Sequence, residues 1–464
     1  MVEAFGGAVE ERSANIARAM DAAVTPALTA EVEPKLRCAR CGIESHEPSC
    51  FVVPESSRLR PRDLRCITCE GHRLAVGTLK GAWLFLKSSG TPLLILALIQ
   101  HDLHIIEPLT VIAVCLMSPI AMVVHEIGHA LCARLIGLEV STVVIGVGRR
   151  LWRGTIFGTC FTVHAWPVLG LTYLGARNLH FLRTRLWLAT IAGPLTNVLL
   201  VVATFVLVSP QTFFGSSVAL LWMVVNLITT LGTILPYTFK QGGTTLVSDG
   251  LALLQIPGKT TEQLEPHLFT APLMRAYALF EDGNFSGALA VCNDALERVP
   301  GNVHLRVMQS ACRSYTLDFS GALETLEPLL KESATLPPSV RAAIENNTAF
   351  ALLMSDPRTD PNSVALLRAD QLSARVFALF PCVPAYRSTR ALVLTARGRP
   401  EETLDLLNYA PYDLEGDAQR GHRETARALA LRAMNRLDDS HLAAEASARL
   451  TPRTAAFLKV LGLQ

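Results

Sequence analysis

Charged side chains are missing from two long stretches of this 464-residue chain. No residue between Glu107 and His125 is charged, and none of the 54 residues from Leu186 to Phe239 is charged. A soluble helix needs a polar face, so these absences exclude an ordinary soluble domain and predict membrane spans of about 20 residues each.

Two further absences narrow the class of protein. The net charge is only +2, which excludes a global nucleic-acid footprint. The first thirty residues contain no apolar run, so we expect no cleavable signal peptide and treat residues 1–33 as a flexible N-terminus. The mean hydropathy of +0.33 is high for a chain of this length, and the apolar residues concentrate between about 81 and 239.

Four of the eleven cysteines form two C-x-x-C pairs within residues 34–75. Cys38 with Cys41 and Cys66 with Cys69 offer four thiolates to one structural Zn²⁺, which predicts a zinc-ribbon-like domain. Pairs of this kind indicate a reducing compartment. Alternate ligands in the same segment are His46, Cys50 and His72.

The predicted ribbon leaves its partner open. A metal-folded domain of this size has a structural role by default. Its arginines are compatible with nucleic acid and equally with an anionic membrane surface. These arginines are Arg58, Arg60, Arg62 and Arg65.

The apolar region divides into about four predicted membrane spans. A weak span precedes His101, a second ends near residue 132, and the uncharged stretch from Leu186 has room for two more. The four spans are expected near 81–101, 108–132, 186–208 and 216–236.

The loop at 138–185 fixes the expected topology. It is rich in arginine, whereas the loops at 102–107 and 209–215 contain no lysine or arginine. The positive-inside rule therefore places both termini and the end of the second span on the cytoplasmic side. A compact multi-pass protein of this kind suits a bacterial inner membrane. Within the loop, β-branched residues at 141–148 and 160–164 predict a small β-hairpin.

The second span ends in His125-Glu126-Ile127-Gly128-His129, an H-E-x-x-H motif. Residues at i and i+4 share a helix face, so His125 and His129 are predicted to hold one Zn²⁺. Glu126 beside them is predicted to take the proton of the attacking water. Ionisable side chains at the end of an apolar span favour a functional site over a chance match.

A third ligand is expected from Asp249. This carboxylate follows the last predicted span and reaches the same side of the membrane as the two histidines. With it the metal has three protein ligands and keeps one open position, as catalytic zinc does. The alternative is that Asp249 caps the helix starting at Leu251.

These motifs together resemble the site-2-type intramembrane metalloproteases. The resemblance covers about residues 108–255, inside a predicted membrane metalloprotease domain of residues 81–255. It rests on His125 to Ala130, Gly146-Val147-Gly148 with its hairpin, Ala192-Gly193-Pro194-Leu195-Thr196-Asn197, and Leu235-Pro236 followed by Ser248-Asp249-Gly250.

The resemblance implies a role for each site residue. His125, His129 and Asp249 would hold the catalytic zinc, with Glu126 as general base. Asn197 would stabilise the oxyanion or hold the substrate backbone; its alternative is an interhelical hydrogen bond.

Residues 270–464 differ in composition and contain a repeat. Phe285-Ser286-Gly287-Ala288-Leu289 recurs 34 residues later as Phe319-Ser320-Gly321-Ala322-Leu323. A 34-residue period is typical of tetratricopeptide repeats, which bind proteins or peptides on a concave face. The alternative is a purely structural stack of helices.

The predicted fold is an α-helical polytopic membrane protein with a small β-hairpin insertion, a soluble α-solenoid and a small zinc ribbon. The predicted activity is zinc-dependent hydrolysis of peptide bonds in membrane protein substrates, within or beside the lipid bilayer and in regulated proteolysis. Protein or peptide partners are expected on the repeats. The alternative is a catalytically silent scaffold that binds proteins through its repeats. No nucleic-acid partner is predicted.

Overall fold

Three regions are described in the computed structural model: a small cysteine-rich unit, apolar helices with a β-sheet, and an array of helices. The predicted flexible residues 1–33 and the predicted first span near 81–101 lie outside the described residues. So do His46 and His72. The described residues are 36–39, 41–45, 47, 50–52, 65–66, 69, 108–208, 217–241, 244–355, 360–408, 417–450 and 453–463.

The described residues of the cysteine-rich unit include four two-residue strands. β1 (Leu36–Arg37) pairs with β2 (Glu44–Ser45), and β3 (Phe51–Val52) pairs with β4 (Arg65–Cys66), both antiparallel. Strands this short bury little surface by themselves, so other forces stabilise the unit.

Three apolar helices lie where three of the four spans were predicted. They are α1 (Pro108–Leu135), α2 (Leu182–Leu207) and α3 (Ser217–Ile234). Two apolar segments are long enough to cross a bilayer, Ile112–Leu135 and Leu182–Leu207, and Val218–Ile234 is shorter. Large apolar side chains such as Leu116, Leu199 and Val206 are exposed on them, as expected of a surface that faces lipid.

The predicted hairpin is a larger sheet than its sequence segments indicate. β5 (Glu139–Ile156) and β6 (Thr159–Gly175) are long and sharply irregular. Residues 142–145 pair with 170–173 on one side and with 160–163 on the other. Residues 166–175 therefore form an edge of this sheet within the described part of the chain.

A second hairpin joins the last apolar helix, α3, to the segment that begins at Ser248. β7 (Thr238–Gln241) and β8 (Thr244–Val247) pair antiparallel, from Thr238 opposite Val247 to Gln241 opposite Thr244. The hairpin brings Tyr237 next to Ser248, whose N–H donates to the Tyr237 carbonyl at 3.0 Å. The chain then enters the short helix α4 (Asp249–Gln255).

The remaining residues form an array of helices joined by short turns. Consecutive helices pack against each other around several small apolar cores. The helices are α5 (Thr261–Leu264), α6 (Thr270–Glu281), α7 (Phe285–Arg298), α8 (Val303–Tyr315), α9 (Phe319–Glu332), α10 (Pro338–Ser355), α11 (Val364–Leu379), α12 (Pro384–Ala396), α13 (Pro400–Asn408), α14 (Asp417–Ala433), α15 (Leu437–Leu450) and α16 (Arg453–Val460).

The 34-residue period corresponds to one pair of helices. Asn284 caps α7 through the N–H of Gly287, and Asp318 caps α9 through the N–H of Gly321, both at 2.9 Å. Ala288 and Ala322 are fully buried at equivalent positions. A methyl side chain there lets neighbouring helices approach closely, which is why the sequence repeat is visible.

The first repeat helix packs directly against the sheet. The N–H of Ala176 donates to the His267 carbonyl at 2.8 Å, and Arg153 forms an ion pair with Glu281 on α6 at 2.5 Å. A Cβ on Gly175 would lie 2.2 Å from the Cβ of Ala271. The repeats are thus attached to the sheet by close backbone contact as well as by charge.

Candidate active site and metal centres

Three side chains meet near the end of α1 that is predicted to face the cytoplasm. The Nε2 atoms of His125 and His129 are 3.1 Å apart. Oδ2 of Asp249 lies 3.0 Å from the first of these nitrogens and 3.5 Å from the second. The two histidines are one turn apart on α1, whereas the carboxylate comes from a helix 120 residues later.

The spacing of these atoms fits one zinc ion. Tetrahedral ligands about 2.05 Å from Zn²⁺ lie about 3.3 Å from one another. The three observed separations bracket that value, and two imidazoles with one carboxylate are a common set for catalytic zinc. The residues present therefore fit the ion, with one coordination position left open.

His129 is oriented by a backbone contact. Its Nδ1 lies 2.8 Å from the carbonyl of Ala189 on α2, so that nitrogen carries the proton and Nε2 keeps its lone pair for the metal. Gly193 on the same helix leaves the space that the rings need, since a Cβ there would lie 2.3 Å from Nε2 of His129. The sequence motif around Gly193 contributes to the family resemblance, but the need for space beside the histidine rings is evident only in the structure.

Ser248, and not Asp249, caps helix α4. The Ser248 hydroxyl accepts from the N–H of Leu251 at 3.3 Å and donates to the carbonyl of Leu235 at 2.6 Å. Asp249 is the first residue of the helix, and its side chain points to the histidines. This geometry favours the ligand over the capping alternative.

Close packing and charge both favour Asp249 as a metal ligand. A Cβ on Gly250 would lie 1.7 Å from the carbonyl oxygen of Ile234, so only glycine lets α4 approach the end of α3 this closely. Burial tends to raise the pKa of Asp249, but its hydrogen bonds with His125 and His129 outweigh burial and lower the pKa to about 2. The group is therefore a carboxylate over the whole physiological range.

Glu126 is buried and held by the sheet. The hydroxyl of Thr172 on β6 donates to Oε2 of Glu126 at 2.5 Å. Gly170 leaves the space that this carboxylate occupies, since a Cβ there would be 2.1 Å from Oε1. Neither residue was predicted, because the sequence segments assigned to the hairpin ended before them.

A cavity of about 450 Å³ opens onto these residues. It lies between α1, the edge residues 167–172 of β6, and α3. His125, Glu126, His129 and Asp249 all line it. The space is large enough for a short stretch of polypeptide at the metal-binding residues.

Asn197 lies near the site without lining that cavity. Its side chain is fully buried, and Nδ2 donates to the carbonyl of Ala121 at 3.4 Å, one helical turn before His125. This contact is an interhelical hydrogen bond, which the sequence offered as the alternative to a catalytic role for Asn197. The proposed role of Asn197 in catalysis stays a prediction.

The four predicted ribbon thiols form a second cluster. The sulfurs of Cys38, Cys41, Cys66 and Cys69 lie within 4.8 Å of one another, and Cys41 Sγ is 3.7 Å from Cys66 Sγ. Zinc–sulfur bonds of about 2.3 Å give a sulfur separation of about 3.75 Å. The cluster fits a closed tetrahedral zinc site, and the alternate ligand Cys50 lies outside the set.

Two individual proteins resemble parts of the chain. A protein of Helicobacter pylori (strain J99), described as a zinc metalloprotease, is 38% identical over 63 residues, which is 14% of this chain. The chain matches only 18% of the length of that relative. A thermophilic TPR protein from Thermus thermophilus aligns with a TM-score of 0.33 at 17% identity, over 41% of this chain and 98% of its own.

The broadest similarity is to a family. Residues 112–376 match peptidase family M50. The match includes the H-E-x-x-H motif, the sheet, Asp249 and the first repeats. Because it extends over more than half of the chain, the chain belongs to peptidase family M50, a family of membrane metalloproteases of the site-2 type.

Proposed function

We propose that this protein is a zinc-dependent intramembrane endopeptidase that hydrolyses peptide bonds of membrane-spanning protein substrates. The observation that carries this is the convergence of His125, His129 and Asp249 beside Glu126 in one cavity, between apolar helices and a sheet edge. Bound zinc would polarise the substrate carbonyl and make water more acidic.

The chain's own residues supply the rest of the chemistry. Glu126 accepts the proton of the attacking water and passes it to the leaving amine. Thr172 positions the Glu126 carboxylate through its hydrogen bond. Burial of Glu126 and the two histidines lowers the local dielectric and strengthens these charge interactions.

The sheet edge supports a way to hold the substrate. A helical peptide hides its carbonyls in internal hydrogen bonds, so a membrane-spanning substrate has to be extended before it is cut. Residues 167–172 line the cavity and form an edge of the described sheet. Strand addition at this edge would hold an extended backbone beside Glu126.

Contacts between distant regions support an even number of membrane crossings. The cysteine-rich unit precedes the predicted first span and packs against α10 and α11, which follow the last. Segments in contact lie on one side of a bilayer. Three apolar helices lie between them in the described residues, and the span predicted near 81–101 would make the number of crossings even. Together with the arginine-rich loop, this favours four spans with both ends in the cytoplasm.

The test combines metal content with cleavage. The full chain in detergent is expected to hold two zinc ions, to lose one in His125→Ala, and to cleave a model membrane-spanning peptide. Glu126→Gln is expected to keep both ions and lose cleavage by at least about a thousandfold.

Glu139→Gln is the matched control, because Glu139 lies just beyond α1 and pairs with Arg177 at the surface. It is expected to cleave normally. Normal cleavage by Glu126→Gln would refute the proposed base. Two retained zinc ions in His125→Ala would refute the metal site. Full zinc without any cleavage in the unmutated chain would favour the scaffold alternative.

A further inference from the structure

The cysteine cluster shares a buried core with the helical repeats. Apolar side chains of the small unit and of α10 to α12 pack together although more than 270 residues separate them. The members are Cys38, Ile43, Cys50, Phe51, Cys66 and Cys69 on one side and Ala342, Val376, Phe380 and Cys382 on the other.

Two polar groups of the small unit cap a repeat helix. Helix α11 ends at Leu379, and the last carbonyls of a helix have no partners within it. The Ser45 hydroxyl donates to the Leu379 carbonyl at 2.7 Å, and the Cys50 thiol donates to the same oxygen at 2.8 Å. The small unit thus satisfies a helix end that lies beside an apolar surface.

Cys50 and Cys382 join the two sides at the metal cluster itself. Cys50 lies outside the set of four thiols and donates its own thiol proton to Leu379, which favours a role in docking over one in metal binding. The thiol of Cys382, in the repeats, donates to the backbone carbonyl of Cys50 at 3.9 Å, and Cys382 is buried in the same core as Cys66, one of the four cluster residues. The thiol cluster therefore lies directly at the contact between the two regions.

We propose that the Cys38, Cys41, Cys66 and Cys69 site is a zinc-dependent intramolecular clamp that binds the chain's own repeat region. The strands of this unit that the structure describes are only two residues long and add little stability, so the metal supplies its folding free energy. Only the metal-folded unit presents Ser45, Cys50 and Phe51 together to Phe380 and the end of α11.

This assigns the ribbon a partner that its sequence left open. The surface of the repeats around 376–386 is occupied by residues of the same chain, with Phe380 and Cys382 almost fully buried. Loss of zinc would expose this apolar surface. The clamp also ties the chain ahead of the membrane helices to the chain after them, whether or not the metalloprotease site is active.

Hydrogen exchange on the full-length protein in detergent tests the clamp. Cys69→Ser is expected to lose one zinc and to raise exchange at residues 376–386 by about tenfold or more, while α9, outside the contact, stays protected. His125→Ala is the matched control, because it removes the other zinc and leaves the clamp intact. Unchanged exchange at 376–386 after zinc loss in Cys69→Ser, or an equal rise in His125→Ala, would overturn the proposal.

A second variant separates docking from folding of the small unit. Cys50→Ala keeps all four metal-binding thiols but removes one donor to Leu379, so zinc is expected to stay and exchange at 376–386 to rise about fivefold. Cys292→Ala is the control, since Cys292 is equally buried but lies in the core of the first repeats. Equal exchange in the two variants would contradict docking through Cys50.

Discussion

The two candidate metal centres of this protein differ in how they are closed. The cysteine cluster offers four thiols from one small unit, is largely buried, and is covered by the repeats. The second centre offers three ligands from two helices and opens into a cavity with a carboxylate beside it. Four protein ligands fill the tetrahedral coordination of a zinc ion, whereas three leave one position for substrate or water. Ligand number and access therefore separate a structural role from a catalytic one.

The sharpest way to break this comparison is to remove one ligand from each centre. Asp249→Ala is expected to lower cleavage by about a thousandfold or more, because several kcal/mol of transition-state stabilisation depends on the metal. Cys69→Ser is expected to keep at least about a tenth of the activity, since it leaves the open centre intact. Zinc content by elemental analysis and peptide cleavage check both. Equal losses of activity would mean that the two centres do not have separate roles.

The pH dependence of zinc binding is expected to differ between the centres. Burial raises the pKa of Cys69 to about 12. For Cys41, the hydrogen bond with Cys66 and burial together raise the pKa far above its usual range. Metal binding must displace these protons, so affinity falls as pH falls, by up to about four decades per pH unit for four thiols. Asp249, with its pKa near 2, releases no proton above that pH, and the open centre has only two other protein ligands.

The dependence of zinc affinity on pH can be measured by competition titrations at about one pH unit either side of neutrality. The His125→Ala variant reports on the cysteine cluster alone, and the Cys69→Ser variant reports on the open centre alone. The cluster is expected to have the steeper slope, by roughly a factor of 100 in affinity per pH unit. A steeper slope at the open centre would contradict the assigned protonation states.

A glycine substitution tests the close fit of the open centre. In Gly193→Ala the new methyl group would lie 2.3 Å from Nε2 of His129 and 2.8 Å from that of His125, so the rings have to shift. We expect zinc affinity at this centre to fall by about 10- to 100-fold without loss of the cluster zinc. Gly232→Ala on α3 is the control, because nothing lies within 4 Å of its new methyl group. An unchanged affinity in Gly193→Ala would show that the rings have room to spare.

The smallest expected effect concerns the group that holds Glu126. Thr172→Val keeps the shape of the side chain and removes its hydrogen bond to the carboxylate. We expect kcat to fall about tenfold with KM and zinc content unchanged, since the positioned base has lost a donor. Thr204→Val removes only a bond within α2 and serves as the control. A change in KM alone would assign Thr172 to substrate contact instead.

Local patterns in the sequence predicted the parts of the site that depend on one element. The i and i+4 spacing of His125 and His129 fixes their common face as soon as α1 is helical. The two C-x-x-C pairs similarly predicted the thiol cluster, and the 34-residue offset predicted the helix pairs of the repeats. Uncharged length predicted α1, α2 and α3, with ends that differ from the predicted ones by a few residues.

Contacts between elements were decided only by the tertiary structure. The approach of Asp249 to the histidines depends on the hairpin β7–β8 and on Gly250 against Ile234, which no local pattern encodes. The contacts of Thr172 and Gly170 with Glu126 depend on the irregular pairing of β5 with β6. The docking of Cys50 onto Leu379 joins residues 329 positions apart. A sequence specifies which side chains can bind a metal or share a helix face, whereas packing in three dimensions determines which distant groups meet, because burial depends on all the elements at once.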